Sequence, residues 1–278
     1  LGRNVASYKF ALAKSLLEID SNNAEIELEK LAIPFAKNIC EHLDKNEKQI
    51  TSSSSKFLDA CKRFNNSQIN EDELKNITVR MGFNNVIDAF HIVSREETTR
   101  FFTDNRTNNK SIILTDDFYK LKEKDIYKNL KNEAESRWNL WETAISLNVN
   151  PTLLQIINDK DQECLYVLDE NKKRKDVTSS RDALNGYQKG KCFYCYKNIS
   201  IDRGNDNSCD VDHFFPHLLK NYGFLEVDQI WNLVLSCQDC NRGSQGKFER
   251  IPDIKYLYAL SKRNNYYIES HHPLRETI

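Results

Sequence analysis

The chain has 278 residues, 40 Lys+Arg against 41 Asp+Glu, a net charge of -1, and only 8 Gly and 5 Pro. That length allows one large domain or two ordinary ones, and the composition excludes collagen-like and low-complexity chains. No apolar run approaches membrane-spanning length and no signal-peptide pattern opens the chain, so a cytoplasmic protein with no membrane partner is expected. The first residue is Leu1 rather than Met, which suits a trimmed piece of a longer polypeptide.

Tyr8 to Ile19 places apolar residues at helical spacing among good helix formers. Ala24 to Leu43 reads as a second helix, which Pro34 should kink or split. A polar link, Thr51 to Ser55, can cap a helix from Lys56 to Phe64, and Asn70 can cap another from Glu71 to Met81. Val86 to Val93 is expected to be helical. Phe101-Phe102 and Ser111 to Leu114 flank a polar turn and read as a small β insert. Asp125 to Leu147 returns to strong helix, with Trp138 and Trp141 expected in a core, and Asn150-Pro151 ends it. Leu165 to Leu168 can pair with a strand around Val177 across the basic turn Asn171 to Lys175. Ser179 or Ser180 can cap a short helix from Arg181 to Tyr187. These elements suggest a mainly helical domain over 1–180 and a second domain over 181–278.

The second domain opens with Cys192-Phe193-Tyr194-Cys195 and carries Cys237-Gln238-Asp239-Cys240 after 41 intervening residues. Two CxxC pairs without a secretory signal read as a zinc site rather than a disulfide framework. Cys192, Cys195, Cys237 and Cys240 would fill all four positions of a tetrahedral ion, making that zinc structural. Of the scattered cysteines Cys40, Cys61, Cys164 and Cys209, the last is near enough to be a further thiol. Between the pairs stand Asp212-His213 and Trp231-Asn232-Leu233, and Asn241 follows the last cysteine. Cys209 to His213 suggests a strand, Leu233 to Leu235 its return, and Gln238 to Gly243 the start of a helix. Ile254 to Arg263 reads as a basic-ended helix, and the tail carries His271-His272.

This order of residues resembles the HNH endonucleases of the ββα-metal type, over roughly the last third of the chain. His213 and Asn232 are separated by 18 residues and Asn232 and Asn241 by eight, so Leu218 to Val227 reads as an inserted loop. The fold expected is therefore α+β: a mainly α-helical N-terminal domain with a small β insert, then a zinc-stapled ββα module. The resemblance implies that Asp212 and Asn241 bind a catalytic Mg²⁺ or Mn²⁺, that His213 is the general base, and that Asn232 orients its imidazole. Oxygen donors suit those ions, and a neutral imidazole suits proton abstraction near neutral pH. Arg242 and Lys247, at the start of the helix, could contact a DNA backbone or simply be solvated charges. Asp210 falls on the Asp212 face of a regular strand, with little claim to a role.

The reaction implied is hydrolysis of DNA phosphodiester bonds, leaving a 5'-phosphate and a 3'-hydroxyl. Cleavage of both strands would need a homodimer or two events. A competing reading is a zinc-stabilised nucleic-acid-binding or adaptor protein with a degenerate site. A third gives residues 1–180 the lead, as a sensor docking to a larger partner such as an ATPase in a bacterial restriction or anti-phage system. Residues 181–278 hold 13 Lys+Arg and 12 Asp+Glu, so any DNA groove must arise from placement rather than net charge.

Overall fold

The computed structural model describes residues 7–19, 23–50, 54–93, 96–124, 127–146, 156–159, 164–168, 174–176, 181–201, 207–223, 227 and 229–269. The capping serines Ser179 and Ser180, the Asn150-Pro151 break, Val177 and His271-His272 lie outside them. By backbone packing the chain divides into two compact units, Leu1–Trp138 and Asn139–Ile278. This division lies ahead of the boundary near residue 180 expected from sequence.

The first unit contains α1 (Tyr8–Glu18), β1 (Glu25–Glu27), α2 (Leu28–Lys45), α3 (Lys56–Asn65), α4 (Glu71–Ile77) and α5 (Val86–Ala89). It continues with β2 (Ile92–Val93), β3 (Glu96–Glu97), β4 (Phe102–Asn105), α6 (Arg106–Asn109), β5 (Ser111–Leu114) and α7 (Asp116–Lys122). Helix α8 (Tyr127–Ser146) follows. Ser55 caps α3 by accepting from the Leu58 amide, and Asn70 and Glu73 form a reciprocal capping box on α4.

Three expectations change. The β insert is three-stranded in the order β1-β5-β4, because Glu25–Glu27 is a strand rather than the start of a helix. Ile26 is buried between exposed Glu25 and Glu27, an alternation of period two, and it pairs with Ile112. Pro34 neither splits nor ends α2. Its missing amide costs about 3 kcal/mol, which burial of Leu31, Ala32, Phe35 and Ile39 along the same helix can offset. The helix at Val86 stops at Ala89, and Ile92–Val93 pairs antiparallel with Glu96–Glu97.

Phe35 organises this core, stacking on Phe57 at 5.6 Å and meeting Phe83 at 4.8 Å. Gly82 lets Phe35 approach closely, since a Cβ there would lie 3.1 Å from Phe35 Cε1 and Thr78 Cγ2 and push them back by a few tenths of an ångström. Trp138 is fully buried, stacked on His42 at 3.5 Å, and its indole donates to Gln49 at 3.0 Å. Beside it Glu135 accepts from Lys14 at 2.6 Å and lies 3.2 Å from His42 Nε2. Burial pushes the Glu135 carboxyl up, but the His42 and Lys14 contacts outweigh it and hold it at about 2.

The second unit contains β6 (Ile157–Asp159), β7 (Cys164–Leu168) and β8 (Arg174–Asp176), which form an antiparallel sheet in that order. Helix α9 (Arg181–Gln188) leads to the first cysteine pair. Then come β9 (Cys209–His213), β10 (Leu233–Cys237), α10 (Gln238–Arg242) and α11 (Ile254–Glu269). The core joins Leu140 and Ala144 of α8 to Leu165 and Val167, Phe193, Phe214, Leu233, Leu235 and Leu260. Helix α11 runs past Arg263, where the sequence reading ended it. No helix among the described residues is long and apolar enough to cross a membrane.

One consequence concerns pH. His91 is buried and its Nε2 accepts the Phe101 amide at 3.0 Å, so it must be neutral. Burial, with Arg100 nearby, depresses it from 6.5 to about 4. The unfolded chain therefore takes up the proton first, and the first unit loses stability as pH falls from 6.5 towards 4. The protection factor of the Phe101 amide against hydrogen exchange, taken relative to the unfolded chain at each pH, should fall across that window, and His91→Gln should flatten the dependence.

Candidate active site

Strands β9 and β10 pair antiparallel with Leu233 opposite His213, Val234 opposite Asp212 and Cys237 opposite Cys209. Helix α10 begins at the next residue, Gln238, so strand, strand and helix meet around one small region. Gln188 of α9 fixes β10 from outside. Its carboxamide donates to Leu235 O at 2.6 Å and accepts Leu235 N at 2.9 Å, imitating a neighbouring strand. Phe193 N adds a bond to the same carbonyl at 3.0 Å.

The four cysteines of the CxxC pairs converge, with all sulfurs within 4.8 Å of one another. Cys195 Sγ and Cys237 Sγ are 3.7 Å apart. A tetrahedral zinc with bonds of about 2.3 Å needs sulfur separations of about 3.8 Å, so this cluster fits the ion. Gly190, at φ +72°, makes the turn into the first knuckle, and Asn185 Oδ1 accepts its amide at 2.7 Å. Cys209 is not part of the cluster. It is buried in the core on β9.

Residues 192–252 match the family model described as HNH endonuclease. The C-terminal part of this chain carries an HNH domain. No curated protein and no solved structure matches the chain. The family match spans all four clustered cysteines, Asp212, His213, Asn232, Asn241, Arg242 and Lys247.

Within the HNH domain, strand alternation puts Asp210 and Asp212 on one face of β9 and Cys209, Val211 and His213 on the other. Asp212 is 1% exposed. Its Oδ2 accepts the Tyr194 hydroxyl at 2.6 Å, and Lys247 Nζ lies 3.3 Å from its Oδ1. Asp210, given little weight from sequence, is brought to α10. It accepts from Asn241 Nδ2 at 2.9 Å and pairs with Arg242 at 3.1 Å. Arg242 stays half exposed, whereas the Lys247 side chain is only 7% exposed and is no solvated charge. Burial, together with the Asp212 carboxylate, pushes the Tyr194 phenol far above its usual range, so it remains a donor.

The loop after α10 delivers Lys247. Its amide bonds Cys240 O at 2.7 Å, and Phe248 N bonds Asn241 O at 2.9 Å. The chain can curl back this tightly only through glycine. A Cβ on Gly243 would lie 2.5 Å from Asp239 O, and one on Gly246 2.8 Å from Asn241 O.

His213 is fully buried at the end of β9, its ring 5.8 Å from that of exposed His217. Asn232 is also fully buried. Both its amide hydrogens are taken, by Phe215 O at 2.9 Å and Val227 O at 2.7 Å, while Oδ1 accepts Phe215 N at 2.7 Å. Its own carbonyl accepts Phe214 N at 2.8 Å. Asn232 therefore holds the backbone that directly follows His213. Of the loop expected over 218–227, His217–Tyr222 is a 3₁₀ helix.

Sequence reading passed over Arg263. Its guanidinium is fully buried and donates to the carbonyls of Leu233 at 2.7 Å, Trp231 at 2.8 Å and Ile230 at 3.3 Å. It thereby clamps the turn that presents Asn232, and its ring neighbour Tyr267 lies 5.2 Å from the guanidinium carbon. A basic residue within an amphipathic helix carries no local sign of such a role. Arg263→Ala would strand the buried Leu233 carbonyl, leave Trp231 O to Asn264 alone and Ile230 O to the Leu233 amide alone, and open a cavity. It should cost about 3–5 kcal/mol in denaturant unfolding of the HNH domain. Cys240→Ser should release zinc, read by metal analysis, and should abolish cooperative unfolding of the same domain.

Proposed function

We propose that this protein is an endonuclease that hydrolyses DNA phosphodiester bonds in a divalent-metal-dependent reaction at the HNH site. The observation that carries this reading is the strand pair that sets Asp212-His213 against Val234 and Leu233, immediately after Asn232, with α10 following directly. Asp212 and Asn241 would hold Mg²⁺ or Mn²⁺, which supplies positive charge to the scissile phosphate and the leaving oxygen. The donor chemistry suits such an ion: Asp212 offers a carboxylate and Asn241 an amide oxygen, and a cation, the Lys247 ammonium, already lies beside Asp212 Oδ1.

The chain's own groups divide the remaining work. The His213 imidazole accepts the proton of the attacking water. Asn232 holds the backbone at Phe214 and Phe215 and so keeps the imidazole from turning away. Lys247, on a flexible four-carbon stem, would leave Asp212 to hold the ion and would itself contact a phosphate oxygen. Arg242, half exposed, takes the neighbouring phosphate of the strand. The zinc is structural, because four protein thiolates leave it no open position.

One observation favours a second reading. His213 is 0% exposed, and a base sealed from water does not act. In that reading the domain is a zinc-stabilised nucleic-acid-binding module with an inactive site. For the biological role we propose the effector of a bacterial restriction or anti-phage system. The residues ahead of the HNH domain would then sense or dock a partner such as an ATPase. The large N-terminal unit outside the family match is the support for that extension.

Plasmid nicking with Mg²⁺ or Mn²⁺ separates the two molecular readings. EDTA should abolish it, and His213→Ala should slow it about 10²- to 10⁴-fold while leaving DNA binding intact. Cleavage indifferent to that substitution, or DNA binding without cleavage, would favour the second reading.

A further inference from the structure

We propose that Tyr194 is the positioning residue of the catalytic metal site: carried on the first cysteine knuckle, it holds Asp212 Oδ2 and so turns Oδ1 alone toward the ion. This rests on the reading of Asp212 as a metal ligand and adds a residue that sets how that ligand binds. Tyr194 stands between Cys192 and Cys195, so its backbone is placed by the thiolate cage. Its ring is 8% exposed and meets Phe193 edge-on at 5.3 Å and Tyr256 of α11 at 5.2 Å. Held this way, the hydroxyl reaches Oδ2 at 2.6 Å in a buried setting. The other oxygen already faces a cation, Lys247 Nζ at 3.3 Å.

A buried carboxylate left to itself could offer both oxygens to an ion. With Oδ2 engaged by the phenol, only one oxygen is offered. One-oxygen ligation suits the small octahedral ions Mg²⁺ and Mn²⁺, whereas Ca²⁺ readily takes a carboxylate through both oxygens. The tyrosine thus links the structural zinc to the affinity and the selectivity of the second site. Removing such an outer partner of a ligand typically weakens metal affinity about 10- to 100-fold.

The test is Mn²⁺ binding to the zinc-loaded full chain without DNA, followed by the paramagnetic resonance signal of free Mn²⁺, with zinc content measured in parallel. Tyr194→Phe should keep its zinc and weaken Mn²⁺ binding by that factor, with a smaller loss for Ca²⁺ in competition. Unchanged Mn²⁺ affinity in Tyr194→Phe, beside lost affinity in Asp212→Asn, overturns the proposal and leaves the ligand reading standing. Unchanged affinity in Asp212→Asn removes the ligand reading and the proposal together. If Tyr194→Phe sheds zinc, infrared difference spectra of the wild-type chain on adding Mn²⁺ decide, with the Asp212 band assigned by Asp212→Asn. A wide separation of the two carboxylate stretches, the mark of one-oxygen ligation, supports the proposal. A narrow one, the mark of two-oxygen ligation, overturns it.

Discussion

The convergence of four cysteine sulfurs within 4.8 Å is the constraint on which the HNH domain depends. A two-stranded ribbon such as β9-β10 is marginal alone in water. Here its far end, at Cys237, is tied to the knuckle at Cys192 and Cys195, and Gln188 closes its open edge. Structural zinc contributes about 10 kcal/mol or more in small thiolate-bound domains, enough to order a segment with this little core of its own. The same cage sets the position of Tyr194 and, through α10, of Asn241 and the loop to Lys247.

Charge in this domain is arranged in pairs. Asp212 lies against Lys247 and Asp210 against Arg242, across one face of β9. Residues 181–278, with 13 basic and 12 acidic side chains, are near neutral, and at this face acids and bases neutralise one another in pairs. A buried ion pair gains little net stability, because desolvation offsets the attraction. The Asp212–Lys247 pair lies within the residues that match the family model. Arg263 differs, since its partners are carbonyls, and burial pulls its pKa down.

The first unit shows the same economy with polar groups. Glu135, Lys14, His42, Trp138 and Gln49 interlock, so each of these polar groups meets a partner where it enters the core. Such a network specifies one packing, since any shift leaves a buried charge exposed to an apolar wall.

Local signals in the chain determined much of this. Cap residues and helical periodicity located α1, α3 and α4, and the short apolar run Ser111 to Leu114 after a polar turn located the insert. The spacing of the cysteines, Asp212-His213, Asn232 and Asn241 located the HNH domain, because ligands and strand alternation impose short, fixed intervals. Tertiary structure alone decided the rest. Glu25–Glu27 became a strand because β5 offered an edge, and α2 ran through Pro34 because its apolar face was already buried. Asp210, Lys247, Tyr194, Gln188 and Arg263 acquired their partners from positions 18 to 47 residues away, as with Tyr194 to Asp212 and Gln188 to Leu235. A side chain's local neighbours record its propensity; which buried group it must satisfy is fixed only when distant segments close around it.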